Sequence, residues 1–474
     1  MRKLIVIPSQ RVFRDFVGTG AFSSIENEQT YYLSPPIEEG PPLETLLDDR
    51  VHYLPPVPVD QARRRAYAEI RTRLLTSYRF RSRTVRIKMR EMPWGDRLRA
   101  TWRALPGIRH RAIRRLLDET GIDPRVHEMV TEVDPDIVIV ISRGPSGEVL
   151  VVDATRSAQV LGKPVLALPY NWDNLSSKNA FAIKPDYFGA IGLQSAEHAE
   201  RIHKLDPART RVLGSPYIDR YFRMPAGATA RPFHFPYVLY TGCYRAFDEK
   251  RSLELLDRAI TDHGLDLTIV YLPHPARERR KRPDFVDDTR LKNVIVEPHI
   301  RPDYLATWEL RDGVPTARDG RAASRSLPLE RYPPLLEHAK FVVSPLSTMM
   351  LEAAIFRRTV LVVAHHDGLH RTSPGYTVKY LHYEGVDDVD GFEVCREESQ
   401  MTSMFVELAQ RELPDRQPPK HQLDYWLYHD ERTFAERLGE FVDDIMRDAS
   451  DNGPGGRPQP GAQESVPSTA NVVK

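Results

Sequence analysis

Short, unbroken apolar runs punctuate the chain at residues 4–7, 137–141, 165–168 and 187–191. A strand with one wet face alternates apolar and polar positions. A run that is apolar at every position suits a parallel strand covered on both faces. Between these runs lie segments of helical period, such as 147–161, where Val151, Ala154, Ala158 and Leu161 share one side. A Pro-, Gly- and Ala-rich break spans 223–236, and then the alternation resumes. It predicts strands over 237–240, 267–272, 294–296, 341–343 and 361–364, with helices over 248–263 and 348–356. Alternating strand and helix predicts parallel sheets with right-handed crossovers. The fold class expected is therefore α/β, with two Rossmann-like doubly wound domains facing a cleft. The divisions expected are 1–225, a linker over 226–236, a second domain over 237–446 and a disordered tail over 451–474, which is rich in Gly, Pro, Ser and Gln.

Composition narrows the classes. The 474 residues are 41% hydrophobic and 28% charged, with a net charge of +1 and two cysteines, Cys243 and Cys395. Two cysteines make no disulfide framework. The apolar runs fall short of the ~18 residues a membrane-crossing helix needs. The apolar stretch near the N-terminus is too short for a signal peptide. A cytoplasmic enzyme is the expectation.

Charge is concentrated in one segment. Residues 63–115 hold seventeen arginines and Lys88 against three acidic residues, an excess of 15 in a chain whose total is +1. Leu74, Leu75, Tyr78, Phe80, Trp94, Leu98, Trp102, Leu105 and Ile108 interleave with them. Three readings stay open: a solvated helical arm on the N-terminal domain, an anionic surface binder placing the protein at the inner membrane face, or a contact with another protein. No nucleic-acid motif accompanies the charge, so no nucleic-acid partner is expected.

Ligands of open α/β sheets bind beyond the carboxyl ends of the strands. At such an end stands Phe341-Val-Val-Ser-Pro-Leu-Ser-Thr-Met-Met-Leu-Glu-Ala, a buried strand running through Ser344, Ser347 and Thr348 into a helix bearing Glu352. Hydroxyls and free amides at a helix start suit an anion, although plain capping uses the same residues. Leu272-Pro273-His274-Pro275 ends another strand, and Thr241-Gly242 ends a third, where glycine permits close backbone approach. In the first half, Asn171-Trp172-Asp173-Asn174-Leu-Ser176-Ser-Lys178 follows the strand at 165–168, and Gly214-Ser-Pro-Tyr-Ile-Asp219 follows later. A carboxylate there, Asp173, has the chemistry of a general base. A plain Asx turn has the same composition. The loop His365-His-Asp-Gly-Leu-His370-Arg371 lacks the spacing of a metal site, and no metal or cofactor is expected.

These motifs resemble the GT-B nucleotide-sugar glycosyltransferase superfamily, most similarly the bacterial surface-polysaccharide enzymes of the sialyl- and Kdo-transferase and CDP-glycerol glycerophosphotransferase groups. Those pair a Ser/Thr motif with an upstream His-Pro motif in this order. The resemblance implies a nucleotide-activated donor bound by the C-terminal domain at Gly242, His274, Ser344, Ser347, Thr348 and Glu352. His274 and Ser347/Thr348 would hold the phosphate, and Glu352 the ribose. The Trp-Asp-Asn-Leu-Ser-x-Lys run resembles a signature of surface-carbohydrate biosynthesis proteins. It implies Asp173 as base, with Asn171, Trp172, Asn174, Ser176 and Lys178 as sugar contacts. His370 or Arg371 would offer positive charge to the leaving diphosphate. The function implied is transfer of a sugar or polyol phosphate to a polysaccharide or lipid-linked glycan without a metal. Two alternatives stand beside it: a nucleotide-sugar 2-epimerase of the same architecture, and a non-catalytic glycan- or membrane-binding scaffold.

Overall fold

The structure is a computed structural model. It describes residues 1–36, 51–142, 148–275, 285–311, 314–317, 327–415 and 417–451. The tail expected beyond 451 lies outside them.

Two parallel sheets carry the molecule. The first contains β1 (Lys3–Val6), β2 (Thr30–Leu33), β3 (His52–Tyr53), β4 (Ile137–Ser142), β5 (Val165–Pro169), β6 (Tyr187–Ala190) and β7 (Thr210–Val212), in the order β3-β2-β1-β4-β5-β6-β7. The second contains β8 (Tyr237–Thr241), β9 (Thr268–Leu272) and β10 (Val294–Val296). After an antiparallel hairpin of β11 (Trp308–Arg311) and β12 (Val314–Ala317) it continues with β13 (Val342–Pro345), β14 (Val360–Val363) and β15 (Phe392–Cys395). Its order is β10-β9-β8-β13-β14-β15. Both orders reverse direction once, between β1 and β4 and between β8 and β13. That reversal opens a crevice at the carboxyl ends of the strands, where doubly wound sheets bind ligands.

The unbroken apolar runs have a plain cause. Ile5, Ile137, Ile139, Ile141, Leu166 and Leu168 pack in one core. Their neighbours Leu4, Val6, Val138, Val140, Val165 and Ala167 pack in another. Successive side chains point to opposite faces of a strand. Helices Pro124–Val133 and Glu148–Val160 cover the second face with Val126, Val130, Leu150, Ala154 and Ala158.

The first face is covered by helix Gln10–Phe16 and, from the far end of the chain, by helix Phe434–Asp451. Phe434, Leu438, Phe441, Val442 and Ile445 sit in the core of the first sheet. Residues up to 446 were grouped above with the second domain. The last helix instead belongs by packing to the first, because its apolar side closes a face that helix Gln10–Phe16 alone leaves open. Arg437, almost fully buried, locks it there, with Nη2 on Asp219 at 2.7 Å and Nε donating to the Leu213 carbonyl at 2.7 Å.

The basic segment is a helical arm: Gln61–Ser77, Arg83–Arg90, Trp94–Arg103 and Pro106–Thr120. Tyr67 and Ile70 pack on Val149 and Val152 of the first domain. Helix Arg83–Arg90 lies between the domains. Ser82 Oγ donates to the Ser176 carbonyl (2.8 Å), and Thr84 Oγ1 accepts from the Leu381 amide (2.7 Å). No helix among the described residues is long and apolar enough to cross a membrane.

Candidate functional site

A cleft of about 230 Å³ opens between the two sheets at their carboxyl ends. Its C-terminal wall is built from three strand ends of the second sheet. Thr241 ends β8 and Gly242 follows it, Pro273, His274 and Pro275 follow β9, and Ser347, Thr348 and Glu352 follow β13. Of the residues expected to hold a donor, Gly242, His274, Ser347, Thr348 and Glu352 therefore line one cleft. Ser344 stands behind them, fully buried.

Each is positioned by a local device. The Gly242 amide donates to the Leu272 carbonyl at 2.8 Å. A Cβ on Gly242 would sit 2.7 Å from the His274 nitrogen and 3.2 Å from Pro273 Cα, so only glycine lets the two loops meet. Buried Glu249 braces the turn. It accepts from the Cys243 amide (3.1 Å) and the Tyr271 hydroxyl (2.7 Å). Ser344 Oγ accepts from Thr241 Oγ1 at 2.8 Å and lies 3.1 Å from Ser347 Oγ, tying the ends of β8 and β13 together. Because Ser347 turns its hydroxyl to Ser344, no side chain caps helix Thr348–Ile355. The plain capping role is thus not taken. The helix start faces the cleft with amides and hydroxyls, an arrangement suited to an anion.

Glu352 is buried in the same wall. Burial, with a smaller push from Asp15 and an opposing pull from Arg220, raises its pKa to about 7. A carboxyl titrating there can hold or release a proton near neutrality.

The N-terminal wall is lined by Arg11, Arg14 and Asp15 from the helix after β1, Tyr170 after β5, and Tyr217 and Tyr221 of helix Pro216–Phe222. Asp15 is held from two sides: Arg14 Nε donates at 2.6 Å and the Tyr170 hydroxyl at 2.5 Å. The sequence reading passed over Arg11, Arg14, Asp15 and Tyr170. Their signal was position alone, at the carboxyl ends of β1 and β5. Tyr217 lay inside the Gly214–Asp219 motif, whose Asp219 is spent on Arg437 and Arg223.

Asp173 and its neighbours do not line this cleft. Asp173 pairs with Lys178 at 2.6 Å, and that ammonium, against the opposing effect of burial, holds the carboxyl below its usual range. Trp172 crosses to the other domain, its Nε1–H donating to Thr348 Oγ1 at 3.2 Å and its ring edge-on to His382 and Tyr383. Ser176 Oγ lies 2.7 Å from His382 Nδ1. Asn171 Oδ1 accepts from the Trp172 amide at 3.0 Å, and Asn174 is buried. The run thus forms a joint between the domains. His370 and Arg371 also lie outside this cleft. His370 pairs with Asp367 at 2.6 Å, and Asp367 accepts as well from the Asp248 amide at 3.0 Å.

No protein-family model and no curated protein matches the chain. Solved structures do resemble it. S. aureus MnaA, solved with UDP, aligns at a TM-score of 0.50 and 12% identity, over 95% of this chain and 98% of that one. UDP-GlcNAc 2-epimerase from Methanocaldococcus jannaschii, in complex with UDP-GlcNAc and UDP, aligns at 0.48 and 11%, over 95% and 100%. Acinetobacter baumannii MurG aligns at 0.40 and 11%, over 95% and 100%. The likeness to MnaA spans both domains and shows a shared fold, the GT-B arrangement of two Rossmann-like domains about a cleft.

Proposed function

We propose that the protein is a nucleotide-sugar enzyme of the glycosyltransferase type. It moves a sugar or polyol phosphate from a nucleotide-activated donor to a glycan or lipid-linked acceptor. One observation carries this reading: the Gly242 turn, His274 and the uncapped helix start at Ser347–Thr348 converge on one cleft at the switch point of the second sheet. An anionic diphosphate there would meet backbone amides, two hydroxyls and an imidazole, which offset the charge of the leaving group without a metal. Glu352 would take the ribose hydroxyls. MnaA, of the same fold, was solved with UDP, which agrees with a nucleotide in this cleft.

The acceptor proton needs a base on the opposite wall. Asp173 was the sequence choice. Asp15 has the better position, since it lines the cleft and Asp173 does not. Arg14 and Tyr170 orient the Asp15 carboxylate, and each of its oxygens keeps a further lone pair for a substrate hydroxyl.

The 2-epimerase reading has one observation in its favour. Asp15 and Glu352 flank the same cleft from opposite domains, as two-sided proton chemistry on one bound sugar nucleotide would require. Product analysis separates the readings: transfer leaves a free nucleotide and an extended acceptor, while epimerisation leaves an intact nucleotide with an inverted sugar.

The test is a screen of CMP-, CDP-, UDP-, GDP- and dTDP-linked donors by thermal shift and calorimetry. One class is expected to bind, and His274→Ala to weaken it by ~1–3 kcal/mol through loss of a charged hydrogen bond. Failure of every donor to bind would leave the scaffold reading.

A further inference from the structure

Helix Trp94–Arg103 of the basic arm is built inside out. Ala104, just beyond its end, is buried, and Ala100 packs against the arm beside Leu74, Leu75 and Tyr78. The large apolar residues point the other way: Trp94 is 70% exposed, Leu98 48% and Trp102 61%. Their spacing of four sets them on one stripe of the helix. Leu105 extends the stripe, and Phe80 and Met92 are exposed on the neighbouring turns. No residue of the helix is buried, so packing within the chain does not account for the choice of Trp over Lys or Glu at these positions.

Charge borders the stripe. At 100° per residue, Arg97 and Arg99 stand about a quarter-turn to either side of it, and Asp96 lies nearly opposite. Arg81, Arg86, Arg90 and Arg103 add exposed positive charge from adjoining turns. Among the described residues, this group forms ion pairs through Arg99 with Asp96 and Arg103 with Glu69. An apolar stripe edged by tryptophan and flanked by arginine matches the depth profile of an anionic bilayer, with acyl chains beneath an interface of phosphates.

We propose that this face docks the protein on an anionic lipid surface, with Trp94, Leu98 and Trp102 inserted at the interface and the arginines on lipid phosphates. The inference stands on the arm alone and not on the reaction assigned to the cleft. Net charge does not oppose it, because the chain as a whole carries only +1.

The experiment is co-sedimentation of the full chain with vesicles of phosphatidylcholine alone or mixed with phosphatidylglycerol. Binding is expected only to the mixed vesicles, with release by high salt. Tryptophan emission should shift to the blue on binding. The other three tryptophans, Trp172, Trp308 and Trp426, are buried, so the shift would report Trp94 and Trp102. The double variant Trp94→Ser/Trp102→Ser, at exposed positions, should keep its thermal transition and lose vesicle partitioning by about tenfold or more. Three results would overturn the proposal: protein left in the supernatant with mixed vesicles, equal binding to neutral vesicles, or undiminished binding by the double variant. Light scattering gives a fourth. A dimer that the double variant dissolves would assign the stripe to a second copy of the chain.

Discussion

Glu352 and Asp173 are carboxylates from the two domains, both withdrawn from water beside the interdomain gap. Their chemistry diverges. Burial dominates Glu352, Arg220 only partly opposes it, and its pKa rises to about 7. Asp173 suffers burial too, but Lys178 lies 2.6 Å away and its pKa falls. Whether a partner cation is in contact decides which way a buried acid moves. Asp173 Oδ2 is held by Lys178, while among the described residues its Oδ1 has no hydrogen-bond partner and Glu352 has no cation in contact. Glu352 thus lines the cleft as an acid without a contacting cation, while the Asp173 run sits at the contact between the domains.

The sharpest way to break this contrast is to exchange the roles. Asp15→Asn should lower turnover by ~10²–10⁴-fold while nucleotide affinity stays nearly constant, since a general base acts in the transition state. Steady-state rates set against calorimetric affinity would check it. If Asp173→Asn abolishes turnover and Asp15→Asn does not, Asp173 and not Asp15 is the base.

Next in size is Glu352→Gln, which tests the unpaired acid directly. Its ordinary value is 4.5 and its folded value about 7. Below the lower value both folded and unfolded states are protonated, and the substitution should be silent. As pH rises between the two, only the folded state keeps the proton, so the natural protein loses stability. Above the upper value the loss is complete, up to ~3 kcal/mol, and the Gln variant should be more stable by that amount. Urea unfolding near pH 4 and pH 8 measures the difference. Equal stabilities at the higher pH would remove the unpaired-acid argument.

Smallest is Asp173→Asn read as stability. The depressed pKa means the ion pair stabilises above the ordinary value of 3.8 and is lost as pH falls through the folded value. With Lys178 partly in solvent, the cost at neutral pH should be ~1–2 kcal/mol, fading in acid. Urea titrations at neutral pH and well below pH 3.8 check this.

These contrasts follow how the chain could be read. The core strands were legible because each carries an unbroken apolar run, as in 137–141 and Val360–Val363. Three of the outer strands were not. Thr210–Val212 is three residues with a central Arg, and His52–Tyr53 is two residues long, so neither shows a period. Strand Phe392–Cys395 hides behind a Glu. The C-terminal wall of the cleft was legible because His274 and Ser347 sit where strands end. On the opposite wall, Arg11, Arg14 and Asp15 are ordinary charges on one short helix. Their meeting with Tyr170 depends on β1 and β5 flanking β4, a tertiary fact without a local sequence signal. Trp172 was expected to touch sugar. Its ring instead packs among residues more than 170 positions away.

The return of helix Phe434–Asp451 to the first sheet means that the backbone passes between the halves twice, once near 223–236 and again near 427–433. Two tethers define a line. Rotation about that line bends both crossings gently, whereas sliding or pulling apart stretches them. The lobes are therefore held at two chain crossings as well as through the Trp172–Thr348 and Ser176–His382 contacts, so the two walls of the gap are not joined by a single flexible linker.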